Sequence, residues 1–307
     1  MNFTLNQLQI YLKIVETNSI TKASELLHLS QPAVSIQLKK FQEQFDISLT
    51  EVVGRKLYVT DFGKEIGEVV EEIIEQMNTI NYKMLEHKGK LSGRLRISVV
   101  STGKYVMPYF LSDFLSKNSG VQLQMDVTNK FKVVESLEKN EVDFALVSLL
   151  PNHLNIEKLD LMENKLHWIG KKQPEKSILK EKEQGLSQLP IIFREKGSGT
   201  RQVIEQFVEQ HGIRIFKQLE LTSNEAVKQA ILAGLGYSLM PIIGIKNELI
   251  QKDLQIIPIP NTPITTNWSL VWLKDKKLSP VSKAYIKFLE AEKSKIVSDI
   301  FNWYQTI

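Results

Sequence analysis

Apolar side chains recur at helical spacing over residues 5–45 and predict three helices. The third helix begins at Ser30 or Gln31, where Pro32 fits the first turn because a missing N–H costs little there. Its apolar residues are spaced i, i+4, i+7 and i+11 and form one buried stripe; they are Val34, Leu38, Phe41 and Phe45. A helix at 5–17 and a short one capped by Ser19 or Thr21 would complete a small core with it.

The face of the third helix opposite this stripe is mostly polar, with lysines toward its end. A short amphipathic helix that is held by its back and presents amides, a hydroxyl and lysines suits the major groove of DNA. An ordinary helical hairpin with a solvated face is the alternative for this stretch. The residues on the presented face and its flank are Gln31, Pro32, Ser35, Ile36, Lys39 and Lys40.

Two short β-like runs at 49–53 and 56–59 predict a hairpin, or wing, beside these helices. Arg55 and Lys56 at its tip could reach a phosphate backbone, and a solvated turn is the alternative. A long helix then runs from Asp61 to about Lys88. Its apolar residues are spaced three or four positions apart. This spacing favours packing against a partner helix, and therefore a dimerisation linker, over packing on its own chain. The predicted seam consists of Phe62, Ile66, Val69, Ile73, Met77, Ile80 and Met84.

From residue 94 onward, strands alternate with helices. The order β-α-β-α-β predicts a parallel sheet covered on both faces, and a second similar set follows. A strand at 267–273 and a helix at 279–295 then return to the first set. Two lobes with a cleft between them are therefore expected.

Several strands of this half end in residues with hydroxyl or amide side chains. In two cases the turn that follows the strand leads directly into a helix. Ligands of open α/β folds sit at the carboxyl ends of strands, where helix N-termini attract anions. We therefore predict a site for a small, anionic ligand; the alternative is that these residues only cap helices. The candidates are Ser101, Thr102, Thr128, Asn129, Ser148, Arg194, Ser198, Gly199, Thr200 and Arg201.

Composition narrows the class of protein. The 307 residues are 42% hydrophobic and 24% charged, as in a globular protein with two or three domains. No apolar run reaches the ~18 residues of a membrane span, and the start of the chain does not resemble a signal peptide. Cysteine is absent, so a cytoplasmic location is expected. Histidines lack metal-binding spacing and no nucleotide or hydrolase motif is present, so neither catalysis, cofactor nor metal is predicted.

Residues 18–35, NSITKASELLHLSQPAVS, together with Leu8, Tyr11 and Leu38, resemble the winged helix-turn-helix of LysR-type transcriptional regulators. The match continues through Arg55, Thr60 and Gly63, and the segments 194–201 and 223–236 are similar to the family's effector lobe. The resemblance implies an effector domain like periplasmic binding proteins, dimers through the linker helix that assemble into homotetramers, and promoter control by a small effector, with RNA polymerase as a further partner. It also implies that Thr102, Thr128, Asn129 and 198–200 line the effector cleft.

Three domains follow from these patterns: a winged helix-turn-helix at 1–60, a linker helix at 61–90 and an effector-binding domain at 91–307. Within the last, lobe I covers about 91–163 and 269–307, and lobe II about 164–268. The residues predicted to contact DNA are Thr21, Ser30, Gln31, Pro32, Ser35, Ile36, Lys39, Lys40, Arg55 and Lys56.

The chain departs from the family where DNA would be held. The family commonly has arginine at the position of Ile36 and glycine at the position of Asp46. It commonly has phenylalanine and arginine at the positions of Thr50 and Val52. Residues 20–60 also carry a net charge of only +1. Fewer phosphate contacts per subunit are therefore expected, with more dependence on tetrameric binding.

The predicted function is a DNA-binding transcriptional regulator that is not an enzyme and is modulated by a small anionic metabolite. The alternative is a cytoplasmic sensor or solute-binding protein whose helical head binds a protein partner. Catalysis in the cleft is the least favoured interpretation.

Overall fold

The computed structural model describes residues 2–54, 56–87, 90–171 and 182–305. The chain divides into two compact units, Met1–Lys90 and Leu91–Ile307, called unit 1 and unit 2 below. Among the described residues, no helix combines the length and the apolar character that crossing a membrane requires.

Unit 1 is built from the predicted helices and hairpin around one small core. Ser19 and Ser30 are N-caps, and their hydroxyls accept hydrogen bonds from the backbone N–H groups of Lys22 and Ala33. The predicted stripe of the third helix is confirmed, with Val34, Leu38 and Phe41 buried. The elements of unit 1 are α1 (Leu5–Thr17), α2 (Ile20–Leu27), α3 (Gln31–Gln42), β1 (Thr50–Val53), β2 (Lys56–Val59) and α4 (Asp61–His87).

The apolar residues of α4 serve two faces, so the prediction of a single seam is wrong. Val69 of that seam is 52% exposed, whereas its neighbour Val70 is 2% exposed and packs in the unit 1 core. The same helix is closely packed near its start, where a Cβ added to Gly63 would lie 2.1 Å from the Leu49 carbonyl oxygen. The predicted residues Phe62, Ile66 and Ile73 pack on that core, and Val69, Met77 and Ile80 are exposed. The Met84 side chain and the predicted helix end at 88–89 lie outside the described part.

The sheet of the first lobe of unit 2 combines parallel strands with one antiparallel strand, β11. In lobe I, β3 pairs in parallel with β4 and β5, as the predicted β-α-β-α-β order requires. The returning strand β11 is antiparallel to β5, which departs from an all-parallel sheet. The elements are β3 (Ser92–Val100), α5 (Met107–Lys117), β4 (Gly120–Thr128), α6 (Lys130–Glu138), β5 (Phe144–Val147), β11 (Ile264–Leu273) and α10 (Pro280–Ile300), followed by α11 (Asn302–Gln305).

The second lobe is joined to the first by a long strand. This strand, β6 (Ile156–Gly170), pairs with β11 along its first part and with β9 and β10 along its last part. Only residues 166–170 of it were predicted. In lobe II, β7 pairs in parallel with β8 and with Tyr237, next to β9. The remaining elements are β7 (Ile191–Arg194), α7 (Gly199–Gln210), β8 (Gln218–Leu221), α8 (Asn224–Leu232), β9 (Ser238–Pro241), α9 (Lys246–Ile250) and β10 (Gln255–Ile256).

Candidate functional site

The predicted DNA-reading face of α3 is solvent-exposed in unit 1. Ile36 is 53% exposed and is absent from the core cluster that holds the opposite stripe. Lys39 lies 3.9 Å from Glu43, but both side chains are largely exposed, so this pair contributes little. The face therefore offers one apolar side chain between polar and basic ones. Gln31, Pro32, Lys39 and Lys40 are exposed with Ile36, and Ser35 is half-buried.

A concave surface of about 600 Å³ joins this face to the wing. Thr21 and Lys22 border it from the start of α2, and Lys56 and Tyr58 border it from β2. Lysines beside a helix N-terminus suit a phosphate oxygen, so this surface can position a nucleic-acid backbone. Ser30, also predicted to contact DNA, is exposed but uses its hydroxyl as the cap of α3. Arg55 lies outside the described residues.

In unit 2 the ends of several strands meet in a narrow cavity between the lobes. Seven of the ten predicted effector residues line it, and their elements explain why: β3 and β5 end there, and α6 and α7 begin there. Its volume is about 10 Å³, which is room for one water molecule. The predicted residues in its lining are Ser101, Thr102, Asn129, Ser148, Ser198, Gly199 and Thr200.

The cavity wall holds hydroxyl groups that the protein itself does not use. Thr102, Ser198 and Thr200 are each at least nine-tenths buried. None of these three side chains makes a hydrogen bond to another described residue, and Ser198 does not cap α7 with its hydroxyl although it occupies the N-cap position. Buried polar groups are ordinarily satisfied. The wall is therefore complementary to a polar ligand, and the helix N-terminus beside it favours a negative charge.

The two predicted arginines lie beside the cavity and are neutralised. Arg194 is 2% exposed and bonds both oxygens of Glu195, with a further hydrogen bond of 3.3 Å from Nη2 to Ser101 Oγ. Its Nη1 is buried without a partner among the described residues. Arg201 bonds Glu205 and Glu220, so it is an ion-paired side chain rather than a lining cation.

At three further residues the structure differs from the sequence prediction of the effector site. Thr128 ends β4 but is not part of the cavity lining. Asn224 donates a hydrogen bond from Nδ2 to Ser101 Oγ at 3.3 Å, and the sequence does not predict it as a site residue. As the first residue of α8, it carries no pattern that indicates a ligand contact. Lys130 was also missed and is the only cation among the described residues that line the cavity. A lysine at the start of a helix is ordinarily solvated, which hid it in the sequence.

Two family models match this chain. The one described as "Bacterial regulatory helix-turn-helix protein, lysR family" covers residues 5–64, and the one described as "LysR substrate binding domain" covers residues 88–294. Together they span both units.

Full-length relatives and solved structures agree with these matches. The "RuBisCO operon transcriptional regulator" of Allochromatium vinosum is 34% identical over 299 residues, covering 96% of this chain and 98% of that protein. The regulatory domain of CcmR from Synechocystis PCC6803, solved in complex with 2-PG, is 31% identical with a TM-score of 0.61 and covers 66% of this chain and 98% of that one. Full-length CbnR, solved with its target DNA, shares the fold at 19% identity, with a TM-score of 0.68 over 94% of this chain and 99% of that one.

The matches confirm both the family that the SQPAVS segment indicated and the predicted fold, a helix-turn-helix followed by a two-lobed α/β domain. The relatives are named as regulators of transcription, not as enzymes. The chain therefore belongs to the LysR-type family of DNA-binding transcriptional regulators whose activity is modulated by small molecules.

Proposed function

We propose that this regulator reads promoter DNA with α3 and the wing, and that an anionic metabolite bound in the interlobe cavity changes that binding. The cavity carries the proposal, because it gathers hydroxyls that make no hydrogen bond to another described residue, the first turn of α7 and one lysine. Those groups donate hydrogen bonds or attract negative charge. An oxyanion is the ligand that uses all of them.

The chemical class can be narrowed to a small phosphorylated carboxylate. The CcmR regulatory domain, 31% identical to this chain, was solved with 2-phosphoglycolate, a molecule with a phosphate and a carboxylate. In this protein two sets of donors could receive two such ends. One set is Thr200 with Lys130, and the other is Ser101 with Arg194 and Asn224. Effector binding then requires the cavity to widen, since its present volume of about 10 Å³ holds one water.

Assembly is part of the same proposal. The exposed apolar residues Val69, Met77 and Ile80 of α4 form the dimer contact, and two dimers form the tetramer. Pairing places two copies of α3 on one DNA site, which offsets the small charge of each copy. The protein works in the cytoplasm, where its promoters are, and its contact with RNA polymerase completes the proposed control.

An electrophoretic gel shift with the chain's own upstream region tests this function. We expect a site-specific complex whose affinity falls as salt rises, and a change in that affinity when 2-phosphoglycolate is added. Glycolate, which lacks the phosphate, is the matched control and should have a smaller effect. If no complex forms at any salt concentration, the DNA-binding part is refuted. If complexes form but no small phosphorylated acid alters them, the effector part is refuted.

A further inference from the structure

Lys130 separates the closed cavity from a wide groove beside it. The groove measures about 800 Å³, and Lys130 and Ser198 line both spaces. The lysine stem crosses the start of α7, since a Cβ added to Gly199 would lie 3.6 Å from Lys130 Cδ. Beyond it, Lys130 Nζ donates to Gln202 Oε1 at 2.9 Å. The side chain thus runs from lobe I to lobe II and forms a wall of the cavity.

This lysine lacks a counter-ion among the described residues. It is half-buried, its hydrogen-bond partner Gln202 is neutral, and no described carboxylate lies within salt-bridge distance. Partial burial lowers the pKa of its ammonium group, and the hydrogen bond to Gln202 lies on the exposed side of the side chain. Arg194 and Arg201 differ, because glutamates already neutralise them. Lys130 is therefore the one cation without a carboxylate partner among the described residues that line the cavity.

We propose that Lys130 is the counter-charge of the effector and exchanges Gln202 for the effector's anionic group on binding. The inference rests on the proposed function, since it requires an anionic effector in this cavity. The hydroxyls of the mostly buried residues Thr102, Ser198 and Thr200, which line the cavity, complete the ligand's surroundings. When Lys130 leaves Gln202, it also opens the wall between groove and cavity. The exchange breaks a contact between α6 and α7, so effector binding and lobe arrangement are coupled through one side chain.

Isothermal titration of the full-length protein with 2-phosphoglycolate tests this role. Replacing a charge-assisted hydrogen bond by an apolar contact in Lys130→Met should weaken Kd about 10- to 100-fold. Lys130→Arg keeps the cation and should stay within about threefold of wild type. Gln202→Leu should tighten Kd about 2- to 10-fold, because the lysine no longer has a partner to leave. Lys132→Met removes an exposed lysine of the same helix and should leave Kd unchanged.

The outcomes separate this inference from the proposed function. If Lys130→Met binds as Lys132→Met does, the counter-charge role is overturned while the effector site stands. If Gln202→Leu weakens binding as much as Lys130→Met, the exchange is overturned and Gln202 belongs to the ligand contacts. If the wild type binds neither 2-phosphoglycolate, inorganic phosphate nor sulfate, the anionic effector and the inference both fail. Because the Gln202 variant should bind more tightly, a loss of folding cannot produce the expected set of results.

Discussion

Replacing Ile36 by arginine should strengthen DNA binding and make it more sensitive to salt. The side chain is more than half exposed on α3 and lies outside the core cluster, so the substitution costs little folding stability. Each new phosphate contact adds about −0.9 to the slope of log K against log salt concentration. Two copies in the proposed dimer add about −1.8, so the gain in affinity should shrink roughly tenfold between about 50 mM and 200 mM salt.

Fluorescence anisotropy with the upstream promoter duplex and with a random duplex measures this effect. We expect Ile36→Arg to raise affinity for both duplexes at low salt. Gln9→Arg adds the same charge to an exposed position of α1, outside the predicted contact face, and is the matched control. Equal salt slopes for the two variants would mean that residue 36 does not approach phosphate. Loss of binding to every duplex in Ile36→Arg alone would show that this face of α3 is wrongly placed on DNA.

Four further substitutions test the other parts of the molecule. Thr102→Val and Thr200→Val should each weaken effector binding about 2- to 10-fold, measured by titration, and should reduce the effector's influence on DNA affinity; an unchanged response in both would refute the cavity as the site. Gly63→Ala should destabilise unit 1 by about 3 kcal/mol or more, because its Cβ would collide with the Leu49 carbonyl, and a wild-type denaturation curve would contradict that packing. Ile80→Lys should shift the protein toward monomers in sedimentation velocity, since it places a charge on the proposed dimer face; an undiminished dimer would exclude that face.

The elements that local patterns specify were predicted well. Ser30 as cap, Pro32 in the first turn and the stripe from Val34 to Phe41 define α3 without any tertiary information. Local sequence patterns do not define which residues of α4 face the unit 1 core. The spacing of three and four in this helix fits either a partner helix or its own domain, and the burial of Val70 instead of Val69 depends on packing with the rest of the unit 1 core, which no local spacing contains.

The strand β6 and Lys130 show why other features escaped prediction. The segment 156–165 neither alternates strictly nor forms an apolar run, because β6 faces different neighbours along its length and its pairing with β11 shifts register at Trp268/Ser269. The hydroxyl residues of the cavity were predictable since strand ends converge on one edge of a sheet. The position of Lys130 depends on a contact to Gln202, 72 residues away along the chain, which no local pattern contains.

The strand β6 also determines how unit 2 comes apart. Its first part belongs to lobe I and its last part to lobe II, so neither lobe has a complete sheet without it. One hydrophobic cluster continues across this junction, from Leu95 and Phe144 in lobe I to Ile231 and Met240 in lobe II. Because the lobes share a strand and a core cluster, we expect unit 2 to melt in one cooperative transition. An effector held between them therefore stabilises unit 2 as a whole, and amide hydrogen exchange should slow in the centre of β6 as well as at the cavity.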